Sequence, residues 1–498
     1  MAAELAGQDR GGGLMSTRGW WLGVLIALGG VAMCAPPPEV RTWLAGDSHI
    51  HSHWSPGYDR RQNPPVPLKG LDAIYSTPRN AAMAREHGLN WMVTTDHGGP
   101  NHSQLNFGQA YRELQLSRRL IPEVLQFYGM ELNMPGMDHH TLIIPRVEDE
   151  AEILREIEAG FDQNEGWELP SDPTRRGAPA RRRLLQHVSG LSSLPLMFAN
   201  HPSRSASGVG VYGLDSPQEL RQNSDLAPRV YRGMEGAPGH QAATLQPDGT
   251  PGRRGRSGRL GVRGVYRASP TRGGFDQMTA IVGGLWDSLL GEGRRFWIVA
   301  TSDSHVHYAD PVQQGADFWP GEYQKTYVKA LPTYDDVLDG LREGRIFAVA
   351  GDLVSELDLS ASAAGEQAGA GGALSVAAGT SVDVTIRFRD PEAVNAAGEN
   401  PTVARVDLIV GRLHAPLADQ RIDRNPTARV AERFGPGSWS RSGEVVTITT
   451  RVSAGAHGVF VRVRGTNTAE LEPAPDPPGE SPWQDLWFYS NPLFIEVE

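Results

Sequence analysis

The sequence predicts an α/β domain built on parallel strands over residues 35–352, followed by an antiparallel β-sandwich accessory domain over 353–498. Three observations carry this reading. Up to about Asp352, short apolar runs alternate with amphipathic stretches, the pattern of strand–helix–strand units. Beyond that point the runs alternate apolar and polar residues with period two, separated by turn residues. The chain has 498 residues, 39% hydrophobic and 21% charged, which suits a globular protein of two or three domains and excludes a disordered or multi-spanning one.

Taken in order, residues 1–34 read as an export signal. Arg18 precedes an apolar run from Trp20 to Met33, short for a spanning helix, and Pro36-Pro37-Pro38 follows it. Cys34 comes after Val31-Ala32-Met33, which is like a bacterial lipoprotein box except that Met stands where Gly or Ala is expected. A lipid anchor at Cys34 and an uncleaved membrane anchor are the alternatives to simple cleavage. Each predicts a folded part outside the cytoplasm, periplasmic or secreted. With Cys34 as the single cysteine, a disulfide framework and thiolate zinc fingers are both excluded.

The strand-like runs of the first domain are Trp91–Thr95, Phe127–Leu132, Thr141–Pro145, Leu196–Asn200, Val230–Met234 and Phe296–Thr301. Amphipathic segments lie between several of them: Arg79–His87, Gln109–Leu120, Ala151–Ala159 and Phe275–Leu290. Two stretches near 161–182 and 245–274, rich in Arg, Gly and Pro, read as surface loops. After Asp352, the Ala/Gly/Ser-rich segment Ala361–Gly379 reads as a linker or a flexible first hairpin. Val382–Phe388, Ala404–Val410, Val445–Val452 and Val459–Val463 then supply the sandwich strands. The net charge of -11, from 58 acidic and 47 basic residues, argues against nucleic acid as a partner and leaves a small molecule as the expected one.

The chemistry is written at strand ends. The first strand closes on Asp47-Ser48-His49-Ile50-His51, and two histidines two residues apart on an extended segment point the same way. The pattern recurs: Asp96-His97 after Trp91–Thr95, Glu131 within Phe127–Leu132, Asp138-His139-His140 before Thr141, His201-Pro202-Ser203-Arg204 after Asn200, Glu235 and His240 after Met234, and Ser302-Asp303-Ser304-His305 after Thr301. In parallel α/β barrels the carboxyl ends of the strands converge on one face, where active sites lie. Scattered histidines would have no reason to fall at these positions.

At these residues the chain resembles the polymerase-and-histidinol-phosphatase (PHP) superfamily of metal-dependent phosphoesterases. The motifs are Asp47-Ser48-His49-Ile50-His51, Thr95-Asp96-His97-Gly98, Gly129-Met130-Glu131, His140 before an apolar strand, Asn200-His201-Pro202 and Ser302-Asp303-Ser304-His305, spanning about Gly46 to His305 in the family's order. The resemblance implies a distorted seven-stranded, TIM-like (β/α)7 barrel and a cluster of two or three divalent ions: zinc, manganese or iron. It assigns His49, His51, Glu131 and Asp303 to the first ion. Glu131 would bridge to a second, completed by His140 and His201, and His97 and His305 would hold a third. His139 is the alternative to His140, which is preferred because it leads directly into the strand. The chain departs from the family at Ser55-Pro56-Gly57, where Ser-Asp-Gly or a nearby His is usual; proline cannot ligate, and His53 and Asp59 are the available substitutes.

Imidazole and carboxylate ligands suit such ions. Adjacent ions lower the pKa of a bridging water and stabilise the attacking and leaving oxygens of an ester. The expected function is therefore an exported hydrolase that cleaves a small phosphate ester with a metal-bridging hydroxide. Glu131, Asp303, Arg204 and His240 are the candidate catalytic residues. Arg204 would be the cation for the phosphate oxygens, its other reading being a surface salt bridge. His240 would be a protonating acid or substrate contact, its other reading an ordinary loop histidine. The same metal site acting on a carbamate, amide or carboxylic ester is the second hypothesis, and a non-catalytic binding module the third. Neither a His-Glu-x-x-His motif nor a Gly-x-Ser-x-Gly elbow is present.

Overall fold

Seven strands follow one another across the central sheet in their sequence order. They are β1 (Thr42–Ile50), β2 (Trp91–Thr94), β3 (Leu125–Asn133), β4 (His139–Ile144), β5 (Leu196–Ala199), β6 (Tyr231–Ala237) and β7 (Trp297–Ala300). Most are continuous apolar runs, such as Trp91-Met92-Val93-Thr94 and Leu196-Met197-Phe198-Ala199, and they are buried throughout because both sheet faces are covered. The computed structural model describes residues 40–63, 65–166, 173–252, 262–266 and 268–498. The export-signal reading of 1–34, with Cys34, lies outside the described residues, as do parts of both arginine-rich stretches. Among the described residues no helix is long and apolar enough to cross a membrane.

The result is a mixed α/β architecture. The expectation of parallel strands holds between β1, β2 and β3 and again between β5, β6 and β7. It fails at β4, which runs antiparallel to both β3 and β5. Reversing one strand puts its first residues, His139 and His140, beside the last residues of β3: Asn133 pairs with His139 and Leu132 with His140. The start of β4 therefore lies at the sheet end where the other strands finish.

Two further strands, β8 (Gln324–Ala330) and β9 (Ile346–Ala350), were not read from the sequence. β8 lies antiparallel to β1, and β9 to β8. The far edge strand β7 is satisfied by side chains. Asn491 accepts from Ile298 N (2.9 Å) and donates to Ile298 O (3.0 Å), and Thr326 of β8 does the same to Ala300 (2.7 and 2.8 Å). At the sheet end where most strands finish, Ile50 and Ser304 form a parallel bridge, with His51 N donating to Ser304 O (3.0 Å).

The helices follow their local signals. Thr77–Glu86 starts at Ser76, whose Oγ accepts from Arg79 N, and Pro217–Leu226 starts with a Ser216/Glu219 capping box. The amphipathic stretch Phe275–Leu290 is two short helices, Gln277–Ala280 and Leu285–Gly291, rather than one.

Beyond Asp352 the strands are β10 (Glu356–Ala363), β11 (Glu366–Gly369), β12 (Ala373–Val376), β13 (Ser381–Arg389), β14 (Arg405–Arg412), β15 (Arg429–Phe434), β16 (Ser440–Ser442), β17 (Val445–Ser453), β18 (Val459–Thr466), β19 (Trp487–Ser490) and β20 (Leu493–Val497). Of the two readings of Ala361–Gly379, the hairpin is the one found: β10 pairs with β11, and β12 follows. β11, β10, β13, β17 and β16 form a five-stranded antiparallel sheet. The others extend the central sheet, because β19 pairs with β9.

A buried pair of His102 and Glu158 makes the stability depend on pH. His102 Nδ1 lies 2.5 Å from Glu158 and Nε2 3.0 Å from Trp54 O, so both ring nitrogens face acceptors and the ring is an imidazolium. Burial alone would lower its pKa, but Glu158 overcomes this and raises it to about 9. A folded-state pKa above the unfolded value near 6.5 gives stability that is complete below about pH 6.5 and is lost as pH rises through 9. The wild type is expected to lose on the order of 3 kcal/mol over that window relative to a His102→Gln, Glu158→Gln double variant. Urea denaturation of both proteins at pH 6, 8 and 10 checks this; a pH-independent difference would mean the pair is not charged.

Candidate metal centre

Where the strand ends meet, Glu131 stands at the centre of a ring of imidazoles. Its Oε1 lies 2.9 Å from His201 Nε2, 3.0 Å from His139 Nδ1 and 3.4 Å from His49 Nε2. Its Oε2 lies 2.7 Å from His97 Nδ1 and 3.4 Å from His51 Nε2. Asp303 Oδ1 closes the other side, 3.1 Å from His49 Nε2 and 3.2 Å from His51 Nε2, and those two nitrogens are 2.9 Å apart. Bonds of 2.0–2.1 Å in a tetrahedron put ligand atoms about 3.3 Å apart, close to these spacings.

The unpaired atoms fit the same reading. Glu131 Oε2 and Asp303 Oδ1 are buried without a well-angled hydrogen bond, although imidazole nitrogens stand around them. Proximity without hydrogen-bond geometry is the arrangement of ligands aimed at a shared point rather than at each other. Burial would raise the Glu131 carboxyl, yet His139, His97 and His49 hold it well below the usual range. Asp303 is likewise held well below its usual value, by His240 and His49 against burial. Both carboxylates are thus ionised, as ligands must be. Four groups of donors lie here among the described residues: His49, His51 and Asp303; His97, Glu131 and His139; His51, Asp72, His97 and His305; and His240, His305 and Asp317. Each is able to hold a divalent ion.

Buried carboxylates behind the ring set which imidazole nitrogen faces inward. Glu235 Oε1 is 2.6 Å from His49 Nδ1, which leaves Nε2 for the cluster, and Glu235 also accepts from His201 N (2.5 Å) and Thr301 Oγ1 (3.0 Å). His305 Nδ1 donates to Asp303 O (2.8 Å), leaving Nε2 toward Asp72. Asp47 is not aimed at the ring. It accepts from His49 N and Ser302 N, tying β1 to the Asp303 loop, and burial pushes its pKa up to about 7. His201, His240 and Asp303 all have positive φ, which costs a non-glycine residue strain of order 1 kcal/mol or more, tolerated where function requires the placement. A Cβ at Gly239 would stand 2.1 Å from Ser302 O and 2.3 Å from the Asp303 side chain, so only glycine allows the His240 loop to approach that close.

Of the residues singled out from sequence, the structure brings together His49, His51, His97, Glu131, His201, Asp303 and His305. It does not bring His140. That side chain points to the opposite face of β4, fully buried, with Nε2 2.9 Å from Tyr231 Oη and Nδ1 3.2 Å from Asp138 O, and burial lowers its pKa to about 3. Its neighbour His139 stands against Glu131 instead. The preference for His140 is thus corrected, and the reason is strand alternation: only one of two adjacent residues can face the cluster. His139→Ala is expected to lower metal content by about one ion per chain, whereas His140→Gln keeps it; elemental analysis of both variants decides.

The gap left by Pro56 is filled by neither substitute considered. His53 pairs with Glu113 (2.9 Å), and Asp59 with Arg61 (2.8 Å). Asp72 fills it, its Oδ2 3.4 Å from His305 Nε2 and 3.6 Å from His97 Nε2, with Ser55 Oγ donating to it (2.9 Å). Sequence reasoning also missed Asp317, whose Oδ1 is 2.5 Å from His240 Nδ1 and whose Oδ2 accepts from His305 N and Val306 N. No local signal marks either residue. His240 Nε2 lies 2.6 Å from Asp303 Oδ2, so this histidine belongs to the cluster's rim. Arg204 is ion-paired with Asp138 and lies 3.3 Å from His139 Nδ1.

No protein-family model matches the chain, and no curated protein matches it. Among solved structures it is similar to endonuclease Q in complex with a 27-mer duplex substrate bearing an abasic lesion at the active site. The identity is 13% and the TM-score 0.30, over 60% of this chain and 57% of that one. At that score the likeness carries no argument about this chain's own activity. The expectation that nucleic acid is excluded as a partner is withdrawn: the structure found was solved on a DNA duplex, which is a property of that protein, and the charge sum is no ground for the exclusion. Net charge averages over a whole surface, and a centre holding divalent cations would present local positive charge whatever that sum is.

Proposed function

We propose that the protein is a metal-dependent hydrolase of the PHP kind, built as a distorted β/α barrel and acting on a phosphate ester. The observation that carries this is the convergence of seven histidines (His49, His51, His97, His139, His201, His240 and His305) and three carboxylates (Asp72, Glu131 and Asp303) into one cluster, most of them from strand ends and Asp72 from an irregular segment. The sequence-order sheet, the Ile50–Ser304 bridge and the Asn491 and Thr326 contacts to β7 support the barrel.

His49, His51 and Asp303 would hold one ion, Glu131, His97, His139 and His201 a second, and Asp72 with His305 a third. Divalent ions in such a site acidify water and offset the charge that grows on ester oxygens. The chain's own residues do the rest. Glu235 keeps the His49 ring in the ligating tautomer. Asp317 holds His240 by Nδ1, and His240 is assigned the proton delivered to the leaving alcohol. Arg204, beside His139, is assigned a non-bridging oxygen of the ester.

The test is metal analysis of the purified protein together with hydrolysis of aryl phosphomonoesters and phosphodiesters with added manganese or zinc. Two or more metals and chelator-sensitive phosphate release are expected; absence of metal would sink the reading. One observation favours a second reading, hydrolysis of a neutral carbamate or carboxylic ester: Asp138 already neutralises Arg204. Metal without phosphate release, but with release from an aryl ester, would establish that instead.

A further inference from the structure

A cavity of about 630 Å³ opens onto the metal centre, with Asp72, His97 and His139 on its inner wall. That volume is in the range of small-molecule sites. Its outer wall carries Arg60 and Arg176, both exposed and neither with an ion-pair partner among the described residues. What sets these two apart from other exposed arginines is their place: both line the same cavity as Asp72, His97 and His139. Next to Arg60, Arg61 is taken up by Asp59 (2.8 Å), and Arg204 at the centre is taken up by Asp138.

Both residues are placed on the cavity wall by the elements that carry their backbone. Arg60 sits on the turn of the hairpin Gly57–Asp59/Val66–Leu68, whose Tyr58 and flanking Pro56 and Pro65 also line the cavity. Arg176 immediately precedes the helix Gly177–Ser189. That helix start is pinned to the loop after β3 by a close approach: a Cβ on Gly136 would lie 2.7 Å from Gly177 Cα.

We infer that the cavity takes an ester carrying a second anionic group on its non-reacting part, with the reacting group at the metal centre and the second anion between Arg60 and Arg176. Tyr58 and the prolines supply an apolar wall for the body between the two charges. Guanidinium groups that have no ion-pair partner among the described residues, on the wall of a cavity, match a carboxylate or phosphate by paired N–H donors. The inference rests on the proposed hydrolase reading for the location of the reacting group.

The experiment compares kcat/KM for phenyl phosphate and 4-carboxyphenyl phosphate in the metal-loaded wild type and in an Arg60→Gln, Arg176→Gln double variant. The wild type is expected to favour the carboxylated ester by about tenfold, and the variant's ratio to fall to about 1. Equal rates in the wild type, or an unchanged ratio in the variant, would overturn the inference while leaving the phosphoesterase reading intact. If neither ester turns over, the phosphoester reading falls, and equilibrium binding of terephthalate against benzoate decides the inference separately. Tighter terephthalate binding that the double variant loses supports it, and equal binding overturns it.

Discussion

Glu131→Gln is expected to strip the centre of metal and to reduce ester hydrolysis about 10³-fold or more, equivalent to roughly 4 kcal/mol of transition-state stabilisation. The expectation follows from position. Five imidazole nitrogens, from His49, His51, His97, His139 and His201, lie within 3.4 Å of its two oxygens. Glutamine keeps the shape, so the fold has no steric reason to fail. It removes the charge and turns one oxygen into an N–H2 donor facing imidazole nitrogens that must also be free to ligate. Glu235→Gln provides a graded control. It touches His49 only at Nδ1, so its loss should weaken metal affinity by about 10–100-fold rather than abolish binding. Elemental analysis and metal titration of the two variants measure the difference. If Glu131→Gln keeps its metal and stays within tenfold of wild-type rate, the centre is not organised around this carboxylate.

Parts of this centre were legible in the sequence for a physical reason. His49 and His51 share a face because side chains alternate with period two, and that holds in any strand. Asp303 and His305 could be placed because an apolar run ends immediately before them. The direction of β4 could not be read, since a strand's alternation is the same whichever way it runs, and the choice between His139 and His140 depends on the pairing that fixes which face meets β3. Asp72 and Asp317 escaped for another reason. Each reaches the cluster from an irregular segment, and only the folded path of the chain brings it near His305. The C-terminal region divides the same way. The alternating strands β13, β17 and β18 were evident. The extension of the central sheet through β19, and the Asn491 amide that stands in for a strand beside β7, depend on partners more than a hundred residues away.

That long-range joint sets up the second large effect, which lies outside the metal centre. Arg462→Leu is expected to destabilise the protein by about 3–5 kcal/mol. Arg462 is on β18, fully buried, and its guanidinium grips Asp287 of the helix Leu285–Gly291 through two bonds, Nε to Oδ1 at 2.7 Å and Nη2 to Oδ2 at 2.8 Å. It also lies 4.6 Å from the Trp286 ring centroid. Without it, the Asp287 carboxylate keeps a single donor, Gly283 N at 2.7 Å, in a site from which water is excluded. The penalty is that of an uncompensated buried charge, not the net worth of the pair, so removing both charges should recover most of it. An Asp287→Leu, Arg462→Leu double variant is therefore expected to lie closer to the wild type than the Arg462→Leu single variant does. Urea denaturation of the cycle measures this, and a single-variant cost below about 1 kcal/mol would mean the pair behaves as an exposed one. The shape of the transition adds a second readout. Because the pair links a helix before Asp352 to a strand after it, and β19 continues the same sheet as β9, loss of both regions in one step is expected. Two separated steps in the wild type would instead show that residues 353–498 fold as an independent domain.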